Sequence, residues 1–348
     1  MKEKMMATML YGPGDLRLVE VNVPEVGPDE VLVEVMVDGL CPTGVNAIKK
    51  GTKWGPPDAP SLGFPGHEFS GVVVKVGKKV EHLKEGDRVV ADLIIPCGRC
   101  SFCRSGRHNL CPNMSGLGYF SWAEYIKTLG TQTYKFSDGT RFEEAALTEP
   151  LSTVLHCIKR ANIPPGGYLV VIGSGPMGLL HLQLAKRIAG ARVIMLDLLD
   201  QRLKIAEKMG AYASLKPDKN LPEKIKELTD GNGANSVIVT VGSTTAQENA
   251  FDLVADGGTV VFFAGIHLLN TPMISINPNF IHYKEVDVRG AFDKTKEEFV
   301  RALKLIEQGV LNVDLLITHK FPLNEFKKAI EVYEKREGLK VMIYPQKR

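Results

Sequence analysis

No apolar run in the 348 residues approaches the length that crosses a bilayer, so a membrane span is not expected. The first stretch, MKEKMMATMLYGPGD, is too polar for a secretory signal, and a cytoplasmic protein without a membrane partner is expected. Charge of one sign is also missing. Lys and Arg number 43 against 40 Asp and Glu, and the resulting +3 gives no footprint for nucleic acid. Repeats and low-complexity segments are absent. Cysteine is scarce at six, and five of the six fall in metal-type spacings. In a reducing compartment that favours zinc over disulfides and leaves Cys157, in an apolar helical context, a buried spectator. The rest is ordinary for a folded chain, 44% hydrophobic and 24% charged, with a length that suits two domains.

The most informative stretch is YLVVIGSGPMGLLHLQLAKRIAGARVIMLD, Tyr168 to Asp197. An apolar run, Leu169 to Ile172, meets Gly173, Gly175 and Gly178 in G-x-G-x-x-G spacing. A helical pattern follows (Leu179, Leu182, Ala185, Ile188), then a β-rich run from Val193 to Leu196 that ends on Asp197. A bare G-x-G-x-x-G fits any glycine-rich turn. Set between two strands and a helix, with a terminal acid, it points to a dinucleotide. The glycines allow the tight turn, the approach of a pyrophosphate, and close helix–strand packing, with phosphate on the free N–H groups of the helix start. Asp197 can accept hydrogen bonds from an adenosine ribose and repel a 2′-phosphate. Leu198, Leu199 and Asp200 follow it with no adjacent cation, so NAD is the expected cofactor. The expected cofactor set is Gly173, Gly175, Pro176, Met177, Gly178, Asp197 and Arg202.

Residues 7–40 read as β-strands, with Val31, Val33, Val35 and Val37 alternating as in a half-buried strand. A Gly- and Pro-rich loop, 51–66, precedes a strand opened by His67 and Glu68, and the first 92 residues read as all-β and barrel-like. A helix is expected to start near Pro150. From Gly167 to about Arg289 a βαβ series is expected: helices Gln201 to Met209, Glu223 to Leu228 and Gln247 to Leu253, and strands Val237 to Val241 and Thr259 to Ala264. This is a doubly wound parallel sheet. Helices Lys296 to Glu307 and Asn324 to Glu334 and a strand Lys340 to Tyr344 complete the chain, the tail rejoining the first domain.

Cys97, Cys100, Cys103 and Cys111 form C-x2-C-x2-C-x7-C. Four thiolates at this density can close a tetrahedron around one zinc with no open position, a structural site that folds its lobe. An iron–sulfur cluster uses related runs, but with different spacing and context. Outside this lobe the obvious ligands are Cys41, His67, Glu68 and Glu149, three of which could hold a catalytic zinc with one position open. Singly each has a plain reading, as a core thiol, a turn histidine or a surface acid.

Their order is more telling. Cys41, the GHE of Gly66 to Glu68, the GDRV of Gly86 to Val89, the four-cysteine lobe, Glu149-Pro150 and then G-x-G-x-x-G resemble the zinc-dependent medium-chain dehydrogenase/reductase family along essentially the whole chain. The resemblance implies an α/β chain with a GroES-like β-barrel catalytic domain, residues 1–153 and 290–348, carrying the structural zinc lobe at about 93–115. A doubly wound Rossmann domain, 154–289, would hold the cofactor. It further implies two zinc ions per chain, Cys41 and His67 as ligands of the catalytic one, Glu68 and Glu149 sharing the remaining position with water, and Thr43 as the hydroxyl that takes the alcohol's proton. The family forms homodimers and homotetramers.

EPLSTVLH, Glu149 to His156, is similar to the polyol and sugar-alcohol branch, as is Asn279 to Phe292. Threonine dehydrogenases usually carry Gly-Asn where Ser152 and Thr153 stand. The expected function is hydride transfer between a secondary alcohol of a polyol or sugar-like substrate and NAD. The alternatives are an L-threonine 3-dehydrogenase and a non-catalytic NAD-binding protein with structural zinc only. A zinc-ribbon nucleic-acid binder fits the cysteines and fails on charge. His156 either touches cofactor or substrate or is structural. The family's Gly-Ser/Thr-Asp-x-His after the ligand cysteine is here Pro42-Thr43-Gly44-Val45-Asn46. Gly44 removes a carboxylate that orients the metal's surroundings, and Asn46 removes a histidine that passes the proton outward. Asn46 either binds a substrate hydroxyl or caps the helix or turn after Cys41.

Overall fold

The computed structural model of the chain describes residues 2–50, 61–116, 118–266 and 271–346. In chain order, β1 (Lys4–Gly12), β2 (Asp15–Asn22) and β3 (Glu30–Gly39) lead to α1 (Pro42–Lys50). There follow β4 (Ser61–Leu62), β5 (Glu68–Val76), β6 (Arg88–Ala91), the single turn α2 (Ser101–Arg104), β7 (Tyr125–Leu129) and β8 (Thr133–Lys135). Helices α3 (Phe142–Ala146) and α4 (Thr148–Ala161) precede an alternating series: β9 (Tyr168–Ile172), α5 (Pro176–Ala189), β10 (Arg192–Leu196), α6 (Asp200–Lys208) and β11 (Ala213–Leu215). It continues with α7 (Leu221–Leu228), β12 (Ala234–Val239), α8 (Thr244–Asn249), β13 (Val254–Phe262), α9 (Pro278–Lys284) and β14 (Asp287–Gly290). Then come α10 (Lys296–Glu307), β15 (Ile317–Pro322), α11 (Phe326–Glu334) and β16 (Lys340–Tyr344).

Two compact units result. The first is Met1–Ser152, Thr295–Gly309 and Leu316–Arg348, and the second is Thr153–Lys294 and Val310–Leu315. The first boundary falls one residue before the expected 153/154, inside α4, and the chain returns at Thr295 instead of 290.

The first unit is built on a seven-stranded sheet in the order β15-β16-β3-β5-β6-β8, with β7 also paired to β3. Strand β3 was expected to be half-buried, but Val31, Leu32, Val33, Val35 and Val37 are all fully buried. Val31, Val33 and Val35 pack with Phe69, Val89 and Ile126, while Leu32 packs on the other face with Met5 and Ala7. Both faces are therefore core, and the alternation in the sequence marks only one of them. The all-β expectation for the first 92 residues is corrected by α1. There Pro42 opens the helix, Val45 and Ile48 face the core, and Lys49 and Lys50 sit in the last turn, where the helix dipole favours cations. Of the loop expected over 51–66, residues 51–60 lie outside the described residues, and Ser61–Leu62 pairs with β1.

The second unit holds a six-stranded parallel sheet, β11-β10-β9-β12-β13-β14. The order reverses between β9 and β12, and in such sheets ligands bind beyond the strand ends at that switch point. All five residues of β9 are buried, as a central strand covered on both faces requires. Helix α5 buries a continuous run, Gly178 to Ala185, while Ile188, expected on its buried face, is 43% exposed near the helix end. The expected helix Gln247 to Leu253 is α8 followed by a 3-10 turn, Ala250–Asp252. No helix among the described residues is long and apolar enough to cross a membrane.

Candidate functional site

The four-cysteine lobe brings its sulfurs together. Sγ–Sγ distances are 4.0 Å for Cys97–Cys103 and 3.8 Å for Cys100–Cys111, and all four lie within 4.8 Å of one another. A tetrahedron of thiolates about 2.3 Å from a zinc ion has edges of about 3.8 Å, so the set fits that ion. The single turn α2 does the local work: Cys100 caps it and accepts the Cys103 N–H at 3.4 Å, and the Cys97 N–H donates to Cys111 at 3.4 Å. Backbone N–H groups of Arg99 and Cys100 hold the Cys97 thiol down to about 6, whereas burial pushes Cys103 up to about 12. Sulfurs this close, two of them met by backbone donors, are placed to serve as a metal's ligands once their protons are displaced.

A second set lies elsewhere in the first unit. Cys41, at the lip of α1, His67, just before β5, and Glu68, its first residue, place one donor atom each within 4.8 Å of one another. Burial opposes protonation of His67, but Cys41, Glu149 and Glu68 around it hold its pKa well above the ordinary value. A half-buried imidazole ringed by acidic groups is a place that draws a cation. Thiolate, imidazole and carboxylate are ordinary zinc ligands, so this set also fits a zinc ion. The Nδ1 of His67 lies 2.8 Å from the Pro65 carbonyl, which leaves Nε2 for a metal.

Two buried partners escaped the sequence reading. Lys340, opening β16, donates to one carboxylate oxygen of Glu68 and, at 3.2 Å, to the Leu40 carbonyl. Asp38, fully buried on β3, accepts from the Ser121 hydroxyl, and burial pushes it up to about 7. A lysine among the buried residues of Lys340–Tyr344 was the available signal for the first; nothing local marks the second.

Glu149 influences His67 but is not among the three residues whose donors converge. Thr43 is exposed in the first turn of α1, and half-buried His156 sits on α4, in the second unit. The capping alternative for Asn46 is overturned, because the helix begins at Pro42 and Asn46 stands in its middle, where its side chain cannot cap the first turn.

In the second unit the glycine turn is built by close approaches. Gly173 adopts a φ of +109°, open essentially to glycine, and a Cβ on Gly178 would lie 1.8 Å from the Gly173 carbonyl oxygen. Gly175 precedes α5 and Pro176 opens it, so the helix's free N–H groups follow the turn directly. Asp197 accepts the Ser174 N–H at 2.7 Å and the Leu199 N–H at 2.9 Å, and each oxygen keeps capacity for a further bond. Arg202 reaches to 3.9 Å from Asp197, and its guanidinium would be 3.7 Å from a Cβ on Gly175. The acid therefore has a cation near it after all, supplied from the first turn of α6 and not by its immediate neighbours.

Residues 27–138 match the family described as Alcohol dehydrogenase GroES-like domain, and residues 176–308 match Zinc-binding dehydrogenase. Sorbitol dehydrogenase of Bos taurus is 34% identical over 353 residues, covering 98% of this chain and 96% of that protein. Among solved structures, a zinc-binding dehydrogenase of Sinorhizobium meliloti 1021 bound to NADP is similar with a TM-score of 0.90 at 29% identity, over 99% of this chain and 100% of that one. The 2R,3R-butanediol dehydrogenase from Bacillus subtilis gives a TM-score of 0.89 at 27% identity, over 98% and 100%. The chain belongs to the zinc-dependent medium-chain dehydrogenase/reductase family, and its two units are the GroES-like and Rossmann-type folds of that family. Within the family it falls in the polyol dehydrogenase branch, and it is an oxidoreductase that uses zinc and a nicotinamide cofactor.

Proposed function

We propose that this chain transfers hydride between a secondary alcohol of a polyol or sugar-like substrate and NAD, as a cytoplasmic homodimer or homotetramer with no nucleic-acid or membrane partner. The observation that carries the reading is the convergence of Cys41, His67 and Glu68, three unlike zinc ligands around an acid-ringed imidazole. Cys41 and His67 would hold a catalytic zinc, with Glu68 and Glu149 as the further carboxylates offered to it; Cys97, Cys100, Cys103 and Cys111 would hold a second, structural one. A zinc ion held there would supply Lewis acidity at the substrate's hydroxyl or carbonyl oxygen. Thr43 would relay the hydroxyl proton, accepting it as its own passes on to the cofactor ribose or ordered water, while the C–H hydride leaves for the cofactor; the alcohol loses one proton and one hydride and becomes a carbonyl. Asn46, an amide without titration near neutral pH, binds a further substrate hydroxyl instead of storing that proton. His156 is a further candidate for substrate or cofactor contact. Gly173, Gly175, Pro176, Met177 and Gly178 cradle the pyrophosphate, and Asp197 with Arg202 meets the adenosine ribose.

The test is a panel of polyols, sugars and threonine, each assayed with NAD and with NADP by nicotinamide absorbance, alongside metal analysis. Turnover of vicinal polyols with NAD and about two zinc ions per chain supports the reading. Turnover confined to threonine, or no turnover with about one zinc per chain, rejects it.

A further inference from the structure

The family pattern places a carboxylate where this chain has Gly44, and the structure accounts for both its absence and its replacement. The ring nitrogen Nδ1 of His67 donates to the carbonyl of Pro65, two residues back, at 2.8 Å. A backbone carbonyl thus does for this histidine what a carboxylate does elsewhere: it fixes the tautomer and aims Nε2 at the metal position. That carbonyl is placed from two sides. On one side the loop 63–66 is tied down by its own backbone: the Gly63 N–H donates to the Thr8 carbonyl at 2.6 Å, and the Thr8 hydroxyl donates to the Phe64 carbonyl at 2.6 Å. The Trp122 N–H donates to the Gly63 carbonyl at 2.8 Å, and a Cβ on Gly66 would come within 2.4 Å of the Trp122 nitrogen. On the other side lies α1. A Cβ on Gly44 would stand 2.8 Å from the Pro65 Cβ and 3.3 Å from the very oxygen that receives His67. Carbon atoms in contact settle at about 3.5–4.0 Å, so a methyl at position 44 must push apart α1 and the loop. The first segment begins directly after Cys41 and the second runs directly into His67.

We infer that the contact between Gly44 and Pro65 is a positioning element for the Cys41–His67 metal site: it sets the spacing of the two ligand-bearing segments and holds the carbonyl that orients His67. The inference rests on the reading that these residues hold a metal. Gly44 then goes with the use of a main-chain acceptor, because Pro65, ring carbon and carbonyl together, stands where any side chain at position 44 would have to begin.

The experiment compares the parent protein with Gly44→Ala, Pro65→Gly and the double variant. Zinc affinity is measured by chelator competition, and the cobalt-substituted forms are compared through their thiolate-to-metal charge-transfer absorption. Loss of an orienting contact of this kind weakens metal binding by about 10–100-fold, so Gly44→Ala should release the Cys41 site by that factor and shift its cobalt spectrum, with the four-cysteine lobe still loaded. In the double variant the Gly44→Ala penalty should shrink, since the atom it strikes is gone. Parental affinity and spectrum in Gly44→Ala, or additive penalties in the double variant, overturn the inference. Should Gly44→Ala fail to fold, nitrogen-15 spectra of the cadmium-113-loaded parent decide: coupling of the metal to Nε2 with a protonated Nδ1 is expected, and coupling to Nδ1 overturns it. A parent that binds no metal at Cys41 fails the underlying reading instead, and is told apart because its lobe alone takes cadmium.

Discussion

Replacing Lys340 with Met keeps an unbranched side chain in β16 and removes the ammonium group. Glu68 and Lys340 are 1% and 3% exposed, so the carboxylate left behind sits in the interior without its cation. Removing one partner of a buried ion pair costs about 3–5 kcal/mol, most of it the desolvation of the partner that remains. The first unit has about 200 residues, a size at which each kcal/mol moves Tm by about 2–4 °C, so metal-free Lys340→Met should melt about 6–20 °C below the metal-free parent. Circular-dichroism melting in chelator reads this. Added zinc should return part of the loss, because a cation beside Glu68 compensates the same charge. Lys340→Arg should lose less than Lys340→Met. The double variant Glu68→Gln, Lys340→Met should regain most of the stability, since a buried pair replaced as a whole is often neutral. If Lys340→Met melts with the parent, the pair is not the buried, mutually dependent unit described above.

Asp197→Ser should raise the NADP-to-NAD ratio of kcat/KM by about tenfold or more, the order for losing a like-charge contact worth about 1.4 kcal/mol, with Arg202 left to meet a 2′-phosphate; a parent that already prefers NADP would reject the assignment. Cys103→Ser should lose one zinc and much of the lobe's stability while NAD still binds, and a variant that melts like the parent but has no turnover would give the lobe a catalytic role. Asn46→Ala should raise KM for the polyol with the shape of the pH–rate profile unchanged, and a new titration in kcat would put Asn46 on the proton path. His181 is fully buried with Nε2 unpartnered among the described residues, and burial lowers its pKa to about 4. The unfolded chain takes up this proton near pH 6.5 and the folded one only near 4, so stability is whole above 6.5 and falls by up to about 3 kcal/mol as pH drops towards 4. Unfolding of His181→Phe should lack that slope, and an equal slope in both proteins refutes the assignment.

The glycine turn and its flanking elements were legible because everything they need is local: a short buried run, glycines at fixed offsets, and a helix with its own period. The same holds for α10, whose Thr295 and Glu298 form a capping box, and for the lobe, whose ligands are close neighbours in sequence. Strand β14 was missed because Asp287, Val288 and Gly290 are exposed at a sheet edge and leave no alternation to read. Helix α1 stayed undecided between helix and turn in the sequence because a glycine and a β-branched residue near its start weaken its local signal, and burial of Val45 and Ile48 decides it. At the candidate metal site, residue type disclosed Cys41, His67 and Glu68. Lys340, 272 positions from Glu68, and the Pro65 carbonyl, which belongs to no side chain, had no pattern through which to be seen.

That 272-residue separation also has a meaning in time. Residues 153–294 are made after Glu68 and before the strand that carries Lys340, so the second unit can fold while the sheet of the first still lacks β16. At synthesis rates of about 5–20 residues per second, Glu68 waits roughly 15–50 s for its cation. The four lobe cysteines are together almost as soon as they emerge and can take metal on the nascent chain. The Cys41 site acquires its final surroundings only after β16 has docked on β3. On the proposed reading of two zinc sites, the ions would enter in order, the one in the lobe first and the one proposed for chemistry last.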